Sequence, residues 1–174
     1  SSTWMEETNK FGGFPTTENF NSIEYITNED KMPIPHREEN PYVEAFWKWW
    51  PDLYRDLHTF RITGGEPLLS IDTWNILDYV IEHKNPNTEL QLAINSNLGV
   101  PDELIDRFIE KVKKIEDEER VREFIVFTSV DTWGEQAEYI RNGLNFNRFW
   151  DNLNKLLEKC NKVNLTIMST YNAL

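Results

Sequence analysis

Four times between Thr59 and the C-terminus, a short run of β-branched and aliphatic residues gives way to a polar loop and then to a helical pattern. The runs are TFRIT at Thr59, LQLAIN at Leu90, EFIVFTS at Glu123 and VNLTIMS at Val163. Helical patterns separate them at about Asp72 to His83, Pro101 to Ile115 and Phe146 to Cys160. Strands joined by crossover helices run parallel, and such crossovers are right-handed. The alternation therefore calls for an α/β fold, either a doubly wound sheet or part of a barrel. The last helical pattern carries Phe146, Phe149, Trp150, Leu153, Leu156, Leu157 and Cys160 on one stripe. The middle one opens with Pro101, Asp102 and Glu103, a preset backbone followed by acids that suit the positive end of a helix.

Residues 1–58 have no such regularity. Gly12, Gly13 and several prolines predict a short helix near Ser2 to Lys10 and then loop. The segment PYVEAFWKWWPDLYRDL reads as a helix opened by Pro41 and broken or kinked near Pro51. The chain thus divides into an irregular N-terminal segment plus the helix from Pro41, 1–58, and a single parallel β/α core, 59–174.

Charge and cysteine content exclude whole classes of function. With 18 basic against 30 acidic residues the net charge is -12, which repels nucleic acid. One cysteine, Cys160, permits neither an internal disulfide nor a cysteine-rich metal site, and it sits on an apolar stripe as an inert core residue. His36, His58 and His83 are too dispersed for a metal motif. EDEER at Glu116 to Arg120 reads as a solvated helix end or loop, and most of the tryptophans, Trp150 among them, as core-facing. No apolar run is long enough to span a membrane and the first ten residues lack a secretory pattern, so the expectation is a cytoplasmic protein with no membrane partner.

The loops point to a site. TGGEP, NSNLG, TSVDTWG and MSTYN follow the four strands in turn, so all lie at carboxyl ends of parallel strands and share one rim, where such sheets place ligands. Gly64 and Gly65 would bare the backbone to a ligand, while Glu66, just before Pro67, offers an acceptor to a cationic group such as an ammonium. Lysine and spacing for a phosphate loop are missing, as is the third glycine of a dinucleotide fingerprint.

Taken together, RITGGEPLL, AINSNL, FTSVDTWGEQAEYIRNGLNF and VNLTIMSTYN resemble the core of the radical S-adenosylmethionine enzymes, particularly the branch with SPASM or twitch extensions, over about Thr59 to Asn172. The resemblance implies a partial (β/α)6 TIM-type barrel, of which this chain would hold about four units. It also implies S-adenosylmethionine and a 4Fe-4S cluster as cofactors, the cluster held on a Cys-x3-Cys-x2-Cys loop. By position, Gly64, Gly65 and Glu66, with Pro67 behind them, would hold the methionyl ammonium. Ser129 and Asp131 would line the site, Arg141 would grip the carboxylate, and Asn95 and Asn97 would reach the ribose.

An arginine fork does suit a carboxylate, and Ser, Asn and Asp can bond hydroxyls. The residues themselves leave alternatives open: Arg141 as a solvated helix end, Asp131 as a helix cap, and Asn95 and Asn97 as turn formers. The three cluster cysteines are absent from the chain. It therefore reads as an internal fragment, the cofactor-binding core of an enzyme acting on a peptide or protein, which assembles no cluster by itself. The alternative is a cluster-free α/β module that binds a small ligand or a protein partner. Truncation at both ends would leave the strands at Thr59 and Val163 as open edges, through which self-association is expected.

Overall fold

The computed structural model describes residues 10–12 and 39–171. The loop expected before Asn40, and all but the end of the helix expected near Ser2 to Lys10, lie outside them. Two compact units divide the chain, Ser1–Pro51 and Asp52–Leu174. Helix α1, Pro41–Asp56, contains Pro51 without being interrupted, which corrects the expected break. A proline removes a single N–H, and here the last turn still closes through Leu57 N–H to the Leu53 carbonyl at 3.1 Å. Within the first unit, Phe46, Trp47 and Trp50 pack ring to ring, with centroids 5.3–6.4 Å apart.

The second unit is a four-stranded sheet in the order β1-β2-β3-β4, parallel throughout. The strands are β1, Thr59–Ile62; β2, Asn87–Asn95; β3, Val121–Ser129; and β4, Asn164–Met168. Between them lie α2, Ile71–Glu82; α3, Asp102–Asp117; and, before β4, α4, Gly134–Ile140 and α5, Phe146–Lys159. Chain order equals spatial order. With right-handed crossovers that progression puts the helices on one face, as in an arc of an α/β barrel, whereas a doubly wound sheet must reverse its order.

Burial along the strands agrees. Ile62, Ile94 and Val126 form one lateral row and Leu92 and Phe124 another, all buried on the helix side, where the Phe108 ring of α3 lies 6.1 Å from that of Phe124. The opposite face carries Arg61, Gln91, Asn95, Glu123, Phe127 and Thr166, none of them buried, with the small Ala93 buried among them. β1 and β4 are the end strands of the sheet among the described residues.

Two expectations about the helices need correction, and one open alternative, Asp131 as a helix cap, is removed. The α5 stripe buries Phe146, Phe149, Leu153, Leu156 and Cys160, yet Trp150 and Leu157 are exposed, because seven apolar positions make a stripe wider than the groove α5 fills. The EDEER run is not simply solvated: Glu116 is buried and accepts from Lys162 N–H at 3.1 Å. Arg120 reaches back to the carbonyls of Val80, at 2.9 Å, and His83, at the end of α2. Asp131 caps no helix; Trp133 occupies the position before α4.

His83 packs, as expected, stacked on Tyr79 with centroids 4.9 Å apart. Cys160 is 2% exposed at the carboxyl end of α5, the end of the unit where strands begin, and burial pushes its thiol up to about 11. Its sulfur should therefore ignore a disulfide reagent such as DTNB at pH 8 and react only in denaturant. Equal rates in the folded and unfolded chain would refute that placement.

Candidate functional site

The loops after the strands are tied to one another by side chains. β1 ends at Ile62, and Gly64 follows with φ of 142°, a conformation side chains disfavour. Glu66 then opens a single 3-10 turn, Pro67–Leu69, which the sequence did not announce. One carboxylate oxygen of Glu66 accepts from Leu68 N–H at 3.1 Å and from the Ser96 hydroxyl at 2.9 Å. The other accepts from Asn97 N–H at 2.8 Å. A carboxylate has about four acceptor positions, so one remains on the second oxygen.

Glu66 thus straps the loop after β1 to the loop after β2. The second loop is tight: the Ser96 hydroxyl also accepts from Leu98 N–H at 3.1 Å, and Asn97 Oδ1 accepts from Gly99 N–H at 2.8 Å. Leu98, buried and with φ of 53°, is a left-handed non-glycine residue held by this web. From behind, Asn152 of α5 donates to the Leu98 and Val100 carbonyls at 2.7 and 3.0 Å.

The loops after β3 and β4 are joined in the same way. Arg141, just past α4, donates through Nε to Asp131 at 2.9 Å and through Nη1 to the Ser129 hydroxyl at 2.8 Å. Asp131 also accepts from Thr170 N–H at 2.8 Å. The Arg141 guanidinium, and after it the Thr170 amide, hold the Asp131 carboxyl below the usual carboxylate range. Its side chain is only 8% exposed. Two arginine bonds leave three of the five guanidinium hydrogens for a further acceptor.

Eight of the nine residues singled out in the sequence therefore fall into two groups on one rim: Gly64, Gly65, Glu66 and Pro67 with Asn97, and Ser129, Asp131 and Arg141. Asn95 stands between them and accepts from Arg61 Nε at 2.7 Å on the open face of the sheet. Asn97 forms the turn through its own side chain. Sequence reasoning missed Ser96, Thr170 and Arg61. Ser96 was hidden between two asparagines, whereas Arg61 was detectable as a charged residue in an otherwise apolar strand. Trp133, 63% exposed, also stands in this region, 4.8 Å from the Phe146 ring and 4.7 Å from that of Trp150.

A cleft of about 290 Å³ borders Gly64, Gly65 and Glu66. A larger cavity of about 340 Å³ lies at the opposite end of the strands among Glu116, Glu119, Arg122 and Lys162, remote from these loops. Among the described residues no group of three or more His, Cys, Asp or Glu could hold a metal ion, and no helix is long and apolar enough to cross a membrane. A four-iron cluster requires several thiolates, and this chain has one, buried away from the rim. Compared with known proteins, the chain matches no family model, no curated protein and no solved structure.

Proposed function

We propose that this chain binds the amino-acid and ribose portions of S-adenosylmethionine as the cofactor-binding part of a radical enzyme that acts on a peptide or protein. The observation that carries the reading is Gly65. Its φ lies outside the left-handed region, and a Cβ built there meets no atom within 4 Å, so neither backbone nor packing in the described chain accounts for a glycine. Close approach of a ligand does account for it. On the same rim, Glu66 keeps one acceptor position and Arg141 keeps three donors, the complement of an α-amino acid zwitterion.

In that role Glu66 receives an ammonium hydrogen on its less occupied oxygen, Arg141 pairs with the carboxylate, and the Asn95 and Asn97 amide groups face the ribose hydroxyls. Asp131 keeps Arg141 in place. A cofactor held by these residues would supply a sulfonium carbon–sulfur bond open to one-electron reductive cleavage. The residues of this chain do not fit the cluster itself, since the chain's one thiol is buried away from the rim. That single buried thiol is also what favours a second reading, a cluster-free module binding an amino-acid-like ligand at the same loops.

Gly65→Ala separates a ligand role from a structural one. The substitution should leave the melting temperature unchanged or slightly raised, since alanine costs the unfolded chain entropy and clashes with nothing. It should weaken S-adenosylmethionine binding, read by calorimetry, by about tenfold or more. Arg141→Ala should do the same through loss of a charge-assisted bond worth roughly 1.5–3 kcal/mol. Undiminished binding in both variants would overturn the proposal, and methionine binding as tightly as S-adenosylmethionine would favour the cluster-free module.

A further inference from the structure

Arg61 crosses the open face of the sheet. It starts on β1, where Ala93 of β2 and then Ile125 of β3 are its lateral neighbours. Its guanidinium carbon lies 3.9 Å from the centroid of the Phe127 ring on β3. Neighbouring strands are about 4.8 Å apart, so the side chain spans two of these spacings. It passes Ala93, whose methyl leaves the path clear. Asn95 takes the Nε hydrogen at 2.7 Å and the Met168 sulfur of β4 receives Nη2 at 3.9 Å.

This posture fixes a cation flat and leaves its Nη hydrogens largely unused. Among the described residues Arg61 pairs with no carboxylate, although the chain carries 30 acidic residues. Glu123, the acid on the same face, is occupied by Gln91 Nε2 at 2.7 Å and by the Asn164 amide. An exposed arginine held over an aromatic ring by a neutral acceptor is preorganised for a planar anion. A single guanidinium with no lysine bonded beside it, in a chain of net charge -12, suits a monoanion better than a phosphate dianion.

We propose that Arg61 anchors a carboxylate of the molecule that occupies the open face, so that the ligand bound beside the rim is an acidic one, such as a peptide segment with a glutamate or aspartate side chain. The proposal rests on the preceding reading only in calling that ligand a substrate; the anion site itself needs neither cluster nor cofactor.

The test uses the full chain without S-adenosylmethionine, following the Arg61 Nε–H resonance by NMR. The probes are N-acetyl-glutamate N-methylamide and its isosteric glutamine analogue. The acid should shift the resonance and bind at least fivefold more tightly than the amide. Arg61→Gln should abolish the difference between probes, and Arg61→Lys, which keeps charge without the fork, should retain only part of it. Both substitutions are on an exposed side chain, and an unchanged thermal melt confirms that each variant folds. Equal shifts with acid and amide, no shift with either, or tighter binding of methyl phosphate than of the acid would overturn the assignment. Because the cofactor is absent from the tube, failure here leaves the Gly65 and Arg141 tests unaffected, and their failure leaves this one intact.

Discussion

Glu66→Ala should lower the stability of the chain by about 3 kcal/mol and its melting temperature by roughly 10 °C, in the absence of any ligand. Glu66 does more than face the rim. It accepts from Leu68 N–H, the Ser96 hydroxyl and Asn97 N–H, three bonds that join the turn after β1 to the loop after β2. Charge-assisted bonds are each worth roughly 1.5–3 kcal/mol when shielded, and partial exposure reduces these to about 1 kcal/mol apiece. Glu66→Gln keeps one acceptor oxygen but turns an NH2 group toward a donor, so it should lose about half as much. Urea unfolding of the three proteins decides the matter. An alanine variant within about 1 kcal/mol of the parent would mean that the strap contributes little, and that Glu66 is there for a ligand alone.

That double duty explains why Glu66 cannot by itself test ligand binding. A weakened affinity in Glu66→Ala would follow from a collapsed loop as readily as from a lost ammonium contact. Gly65 has no such confusion, since its Cβ position is open, and neither does Arg61, whose partners are a neutral amide, a ring face and a thioether.

Periodicity made the sheet legible, because strands covered by helices on one face and separated by amphipathic crossovers leave a strong repeat in the chain. The cores of all four strands and the three main helices lie within a few residues of where the sequence places them. What it could not convey was which polar side chains satisfy one another. Asp131 reads equally well as a cap or as a ligand group, and its actual partners, Arg141 ten residues on and Thr170 from another strand's loop, are brought to it only by the fold. The helix α4 was too short to show a period, and Trp150 lies at the margin of a stripe, where seven apolar positions do not say which edge faces solvent. Arg61 is the clearest case. Whether a charge in a β-strand points to water, to a partner or across an open face depends on parity with neighbours that only the register supplies.

Asn152→Ala should be among the most destabilising single changes in the sheet unit, at about 3–4 kcal/mol, although the residue is remote from the rim loops in sequence. It is 2% exposed, and its amide donates to the carbonyls of both Leu98 and Val100. Alanine would leave two buried carbonyls without a donor and a cavity beside them, penalties of roughly 1–3 kcal/mol per orphaned group before the void is counted. Asn152→Leu fills the space without supplying donors, so its cost, expected at about 2–3 kcal/mol, isolates the hydrogen bonds from the packing. The bonds matter because Leu98 sits at φ of 53°, a conformation that a leucine holds only when its surroundings fix it. Asn152 pins that residue from the helix side while Glu66 and Ser96 hold the loop from the rim side. The two substitutions should therefore be less than additive: once Asn152→Leu has released the loop, removing Glu66 should cost at least 0.5 kcal/mol less than it does in the parent chain. A double-mutant cycle by urea unfolding measures this, and strict additivity would show that the loop is held at two independent points instead of as one unit.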